Sequence, residues 1–208
     1  MRELQDDLLS LCSMTDKAIA KSLEALRTQD VSVARQVIED DDKINAARWN
    51  LEESANLLIA TQAPTAGDLR RVLATIHIAV ELERMADYAD GTAKLTLRTA
   101  SEPLLKPLLD LPRMSDLCRE MLREAIDAFI ESDAERARQI ARRDDEVDRL
   151  YEQIYRELLT YMISDPGTVP RATYLLWIAH NYERMGDRVT NICERIILAV
   201  TGELEELG

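Results

Sequence analysis

Apolar residues recur along this chain at three- and four-residue spacing, the period of a helix face. Leu4, Leu8, Leu11, Ala18 and Ala25 mark one face of a first helix expected over about residues 2–28. Gln29-Asp30 breaks that pattern. A second helix is expected from Val31 or Ser32 to about Gln62. It has no Pro or Gly, and about 30 residues make it on the order of 45 Å long. Ala63-Pro64-Thr65-Ala66-Gly67-Asp68 reads as a turn and a helix start, with a third helix over about 67–100. Pro103, Pro107 and Pro112 crowd the stretch from Ser101 to Pro112, and no helix interior tolerates that. Beyond it the pattern predicts a fourth helix over about 113–131, with Leu117, Met121, Ala125 and Ala128 inside. A fifth is expected over about 133–163 and a sixth over about 168–201. Ser132-Asp133 reads as a turn and N-cap, and Asp165-Pro166-Gly167 as a turn.

Two stretches occur twice. Glu83-Arg84-Met85-Ala86-Asp87 in the third helix returns 100 residues later as Glu183-Arg184-Met185-Gly186-Asp187 in the sixth. Asp41-Asp42-Lys43-Ile44-Asn45 in the second helix returns 103 residues later as Asp144-Asp145-Glu146-Val147-Asp148 in the fifth. The simplest account is an internal repeat of three helices. The expected fold is all-α: two tandem, repeat-related antiparallel three-helix bundles, residues 1–101 and 102–208.

Composition narrows the partners. The chain has 208 residues, enough for one large core or two small ones. Its 39 acidic and 26 basic residues give a net charge of −13, which argues against nucleic acid and suits cations or a basic protein surface. Cys12, Cys118 and Cys193 form no CxxC, so a reduced compartment is expected rather than a disulfide framework. The charged N-terminus lacks an apolar leader core, and no apolar run spans a bilayer. A soluble, cytoplasmic protein is expected. The methionines, Trp49 and Trp177 read as core packing, and Cys193 as a small buried apolar residue.

The duplicated stretches carry the chemistry. Each places carboxylates at i and i+4, one helical turn apart on one face, where like charges repel. With Glu183 at zero, Asp187 lies about 40° round the sixth helix, Glu194 about 20°, His180 about 60° and Asn191 about 80°. Asp144 and Asp148 repeat the spacing on the fifth helix, with Asp145 and Glu152 nearby. If those helices pack side by side, two acidic pairs meet in an oxygen-rich cluster of the kind Mg, Mn, Ca or non-haem Fe prefers. The first half offers Glu83, Asp87 and Asp41, with Asp90 near the same stripe. It has Asn45 where the second has Asp148, and Gly91 where the second has Asn191. The second site is therefore expected to bind metal more tightly. The plainer reading is a solvated acidic face neutralised by Arg84, Arg184 and Arg188. His77 and His180 read as core or surface histidines. No P-loop, GxSxG or GxGxxG is present, so catalysis is not expected.

The segments Gln62 to Arg70, Glu83 to Asp87, Asp144 to Asp148, Tyr161 to Pro166 and Glu183 to Ile192 together resemble the PhoU family. The resemblance runs from about residue 3 to 202. It implies a duplicated three-helix-bundle fold and a pair of acidic motifs per half that hold divalent or iron metal ions (Fe, Mn, Mg or Zn). The motif positions fall on Glu83 and Asp87, on Glu183 and Asp187, on Asp144 and Asp148, and on Asp41 and Asn45. Asn191 matches the family pattern and Gly91 departs from it. The resemblance implies a non-enzymatic negative regulator of phosphate uptake and phosphate-starvation signalling. Its partners would be the phosphate transporter ATPase PstB and a PhoR-like sensor kinase, peripheral to the membrane at most. Monomer and homodimer both stay open. The runner-up is an all-α metal-dependent nucleotide pyrophosphohydrolase, disfavoured because few Lys or Arg stand beside the carboxylates to grip a triphosphate. A ferritin-like oxidase wants Glu-x-x-His, and His180-Asn181-Tyr182-Glu183 reverses that order.

Overall fold

A computed structural model describes residues 2–207. In order they form α1 (Arg2–Thr28), α2 (Val31–Gln62), α3 (Ala66–Thr99), α4 (Asp110–Glu131), α5 (Ala134–Ala141), α6 (Asp144–Ser164) and α7 (Val169–Thr201). A single 3-10 turn, Pro166–Thr168, joins α6 to α7. The first three helices make one three-helix unit and the rest a second, as the repeat predicts. Among the described residues no helix is long and apolar enough to cross a membrane.

Local chemistry explains the ends. The Asp30 carboxylate accepts from the Ser32 and Val33 amides at 2.8 and 3.2 Å and opens α2. Asp133 does the same for α5, accepting from the Arg136 amide at 2.9 Å. α4 starts at Asp110, earlier than expected, and so takes Pro112 into its first turn. A proline is tolerated there because its missing N–H has no helical partner anyway.

The expected fifth helix, 133–163, is in fact two. It breaks at Arg142-Arg143, a tight turn in which the Arg143 amide donates to Ile140 O at 2.9 Å and the Glu146 amide to Arg143 O at 2.9 Å. No Pro or Gly marks this break. It is held from outside, where Arg143 reaches α4 and pairs with Glu120 at 3.1 Å and Glu124 at 2.8 Å. The break also sets Asp144, Asp145 and Glu146 in the first turn of α6, where the helix dipole favours negative charge.

One apolar core runs through both units, joining Leu8, Ile19, Leu82 and Met85 to Met114, Met121, Ile178 and Met185. Met85 and Met185, the centres of the two duplicated motifs, are fully buried. The cysteines are buried too. Burial pushes the Cys12 and Cys193 thiols up to about 12. The tryptophans overturn the expectation of core packing: Trp49 is 60% exposed and Trp177 48%. Trp49 sits about 140° round α2 from Ile44, away from the buried line of Val37, Ile44 and Leu51. The Arg48 guanidinium lies over its ring at 3.8 Å. Trp177 meets only Tyr174 edge-on among the aromatic rings described, with centroids 5.9 Å apart.

The two units are clamped together. α3 and α7 share the most extensive helix pairing and run antiparallel. On one side of their crossing Glu81 accepts from Arg188 and Asn191, each at 3.4 Å. On the other, Asn181 donates to Thr92 Oγ1 at 3.2 Å. Asp16 of α1 takes Arg119 and Arg123 of α4 at 3.0 and 3.1 Å. Arg71 of α3 reaches the end of α4, donating to Ser132 Oγ at 2.7 Å and to the Ile130 and Phe129 carbonyls at 3.1 and 3.3 Å. It thereby supplies a donor to the Ile130 carbonyl and a second one to that of Phe129, which already accepts from the Ser132 amide.

Candidate metal centre

In the second unit α6 and α7 pack side by side and bring Asp144, Asp148, Glu183 and Asp187 to one cleft. Gly186 shapes it. A Cβ at that position would stand 2.2 Å from Asp144 Oδ1 and 3.4 Å from Val147 Cγ1. The glycine in the second copy of the motif therefore lets the Asp144 carboxylate lie against the α7 backbone. Asp144 Oδ2 accepts from Thr190 Oγ1 at 3.4 Å. Its Oδ1 is buried and, among the described residues, has no hydrogen-bond partner. Such an acceptor costs free energy unless a ligand meets it.

The electrostatics match the crowding. Burial first, then Asp148 and Asp187, push the Asp144 carboxyl up to about 7. Burial and Asp187 also raise Asp148. Glu183 is raised by burial and Asp187, against the pull of His180 and Arg184. Two of these carboxylates are held by neighbours on their own helix. Arg184 Nη1 lies 2.5 Å from Asp187 Oδ2, and His180 Nδ1 lies 3.1 Å from Glu183 Oε2 without hydrogen-bond geometry. As the side chains stand, no group of three or more His, Cys, Asp or Glu among the described residues converges closely enough to hold an ion. Asn191 faces the seam, where its amide donates to Glu81 rather than into the cleft. Glu81 was not singled out by the sequence reading; only its repeat mate, Asn181, differing in charge, hinted at it.

The first unit repeats the arrangement with changes. Asn45 donates through Nδ2 to Asp41 Oδ2 at 3.0 Å. Burial raises Asp41, with Asp87 and Asp90 adding to it. Asp87 is raised by burial, Glu83 and Asp90. Arg48 reaches Glu83 at 3.8 Å and Glu52 at 3.0 Å. Ala86 replaces the glycine, so Asp41 has no slot like that of Asp144. Gly91 has its own explanation: a Cβ there would come within 3.3 Å of Asn181 Nδ2. His77 and His180 are both exposed, and the partial burial of His77, then the charge of Arg195, lowers its pKa.

The donor types gathered in the second unit are those a hard or borderline cation takes, although as the side chains stand they do not converge on one point. That unit offers carboxylate oxygens from two helices, one of them orphaned, in a cleft opened by a glycine. No phosphate-gripping loop or nucleophile accompanies it.

The family model described as "PhoU domain" matches twice, over residues 8–96 and 111–196. A phosphate-specific transport system accessory protein PhoU homolog of Zymomonas mobilis is 39% identical, over 93% of this chain and 83% of that one. A homolog of the same description from Aquifex aeolicus is 36% identical, over 88% of this chain and 83% of its own. The crystal structure of the phosphate transport system regulatory protein PhoU from Streptococcus pneumoniae superposes with a TM-score of 0.92 at 31% identity, covering 99% of this chain and 97% of that one. That of PhoU from Pseudomonas aeruginosa gives 0.91 at 31% identity, covering 97% of each chain.

Proposed function

Because the chain belongs to the PhoU family, we propose that it serves a phosphate-specific transport system as a metal-assisted helical adaptor. The phosphate-regulatory role follows from the family, which is one of non-catalytic regulators. The finer reading is that the adaptor joins the transporter ATPase, PstB, to a PhoR-like sensor kinase and holds the starvation response off when phosphate is plentiful. The observation that carries the metal part is Asp144 Oδ1, a buried acceptor without a protein partner in a slot made by Gly186.

Asp144, Asp148, Glu183 and Asp187 would hold the ion, of Fe, Mn, Mg or Zn type. The ion would supply positive charge to the crowded carboxylates and brace α6 against α7. The chain's own residues set the terms. Arg184 keeps Asp187 neutralised until it is recruited, and Gly186 keeps the floor of the cleft clear. The acidic exterior, at −13 overall, suits basic faces on the partners.

The test is a pull-down of the ATPase and the kinase at high phosphate, with wild type and Glu183→Gln/Asp187→Asn, each analysed for metal. Metal lost together with partner capture supports the metal-assisted adaptor. Capture that survives complete loss of metal reduces the site to salt-bridged framework. Failure of folded, metal-loaded wild type to capture either partner overturns the adaptor.

A further inference from the structure

We infer that a groove between α1 and α2 of the first unit is a docking site for an acidic amphipathic helix of another protein. The inference stands apart from the metal clefts and does not rest on them.

The repeat shows what is particular about this place. The offset of 103 residues that relates Asp41 to Asp144 also holds upstream of them. Gln29 and Ser132 both end their helices at positive φ, 52° and 58°. Asp30 and Asp133 both cap the helices that follow. Thr15 donates to Leu82 O at 3.2 Å, as Cys118 donates to Tyr182 O at 3.3 Å. In that register Ala18 is the mate of Met121, and Val37 of Ile140. Met121 is fully buried. The first unit has a methyl where the second has a long thioether, and a hollow of about 180 Å³ opens there, floored by Met14, Ala18, Val37 and Ile44.

Charge inverts along with volume. Lys17, Lys21 and Lys43 border the hollow, and their mates in the second unit are Glu120, Glu124 and Glu146. Asp40, which also borders it, has Arg143 as its mate. In the second unit Arg143 ties down both Glu120 and Glu124. In the first, Asp40 alone serves Lys21 at 3.4 Å and Lys43 at 2.6 Å, and Lys17 has no ion pair among the described residues. Three of the chain's five lysines thus gather at one groove, with one carboxylate among them, on a chain of net charge −13. Lysines whose stems merely covered the floor would close the hollow, and it stays open between them.

Shape and charge together specify the occupant. The hollow is smaller than ordinary small-molecule sites and takes one anchoring side chain. Lys17 and Lys21 stand one turn apart on α1, so they match carboxylates at i and i+4 of a facing helix. Lys43 offers a third charge from the α2 wall. The occupant is therefore a helix with a bulky aliphatic residue on one stripe and Glu or Asp on both flanks. A second copy of this chain fits poorly. Its acidic mates of the lysines, Glu120 and Glu124, are already paired with Arg143, and Met121 between them is buried.

The experiment reads the fluorescence anisotropy of a labelled synthetic helical peptide, carrying a Leu stripe flanked by Glu, as full-length protein is added. Wild type is expected to bind it at low salt and more weakly as salt is raised. Ala18→Met, which installs the second unit's residue and fills the hollow, should weaken binding about tenfold or more. Lys17→Glu/Lys21→Glu should do the same from the rim. Replacing the peptide's Leu by Ala should cost as much against wild type and nothing further against Ala18→Met, a coupling that general loss of stability would not give. If Ala18→Met impairs folding, Ala18→Leu takes its place beside the lysine variant. Variants that bind the peptide as wild type does overturn the inference, and so does a wild type that fails to bind it at low salt. Self-association in sedimentation that Ala18→Met abolishes also overturns it, and assigns the groove to a second copy. Binding to phosphatidylglycerol vesicles that the lysine variant loses, without binding to the peptide, overturns it in favour of a lipid surface.

Discussion

Asp144→Asn should make the metal-free protein more stable, against the tendency of most substitutions to destabilise. The Asp144 carboxyl stands at about 7 instead of 3.8, through burial and the charges of Asp148 and Asp187. At a pH above both values that displacement corresponds to roughly 4 kcal/mol against the folded, charged form. Asp144 is only part-buried, and water on its open side screens part of the effect. About 2 kcal/mol is the expected net gain on removing the charge. Asparagine keeps the shape, so it leaves no cavity. For a chain of this size the gain raises the melting temperature by about 4–8 °C at pH 8 in EDTA. The pH dependence has a definite sign. The folded form binds the proton more tightly than the unfolded form. The wild type therefore carries the full penalty above about pH 7 and sheds it as pH falls toward 4. The variant's advantage should shrink over that window and vanish at its acid end. Differential scanning calorimetry at pH 8, 6 and 4.5 reads it directly. With Mn²⁺ present the order should reverse, since only the wild type gains from binding. A variant that melts at or below the wild type at pH 8 in EDTA, or whose gain does not change with pH, refutes the reasoning.

Three further outcomes follow from particular contacts. Gly186→Ala should fold with near-unchanged stability, because the helix-propensity gain of roughly 0.5–1 kcal/mol offsets moving Asp144 aside; second-site Mn²⁺ affinity should fall about tenfold, and an unchanged affinity would count against the slot. Asp16→Ala strips Arg123 of its partner, leaves Arg119 only the exposed Asp116 and should cost about 1–2 kcal/mol in a urea titration, whereas Arg123→Ala, at the exposed end, should cost under about 0.5. The thiols should not react with a disulfide reagent at pH 8 in native protein and should all react in guanidinium, since each is buried and its pKa raised; rapid native labelling would contradict the packing.

The helical period showed the fold because burial follows it so closely: Leu4, Leu8 and Leu11 face the core as their spacing demands. The break at Arg142-Arg143 was invisible because no breaker residue marks it; Arg143 there is tied to Glu120 and Glu124 on another helix. Trp49 was misjudged on residue type, although its angle on α2 already placed it outside. The carboxylate pairs of the second cleft were legible because duplication marks them. The slot at Gly186 was not, since a glycine beside a motif looks like any helical glycine until the facing carboxylate is seen. Asn191 matched a pattern yet donates to Glu81 across the seam.

The seam between α3 and α7 has an evolutionary consequence. Position 81 meets 191 and position 181 meets 91, so the helices cross about a local two-fold axis that the duplication left behind. Each contact has since specialised: a carboxylate against an amide on one side, an amide against a bare backbone on the other. Two copies of the ancestral first unit could no longer assemble, for Glu81 would then confront Gly91 and find no donor. Two copies of the second would set Asn181 against Asn191, an amide against an amide, in place of the charged pairing that Glu81 gives. The units have become lock and key to each other. Substitutions at these four positions should be inherited in pairs, and half a chain should not dimerise in place of the whole.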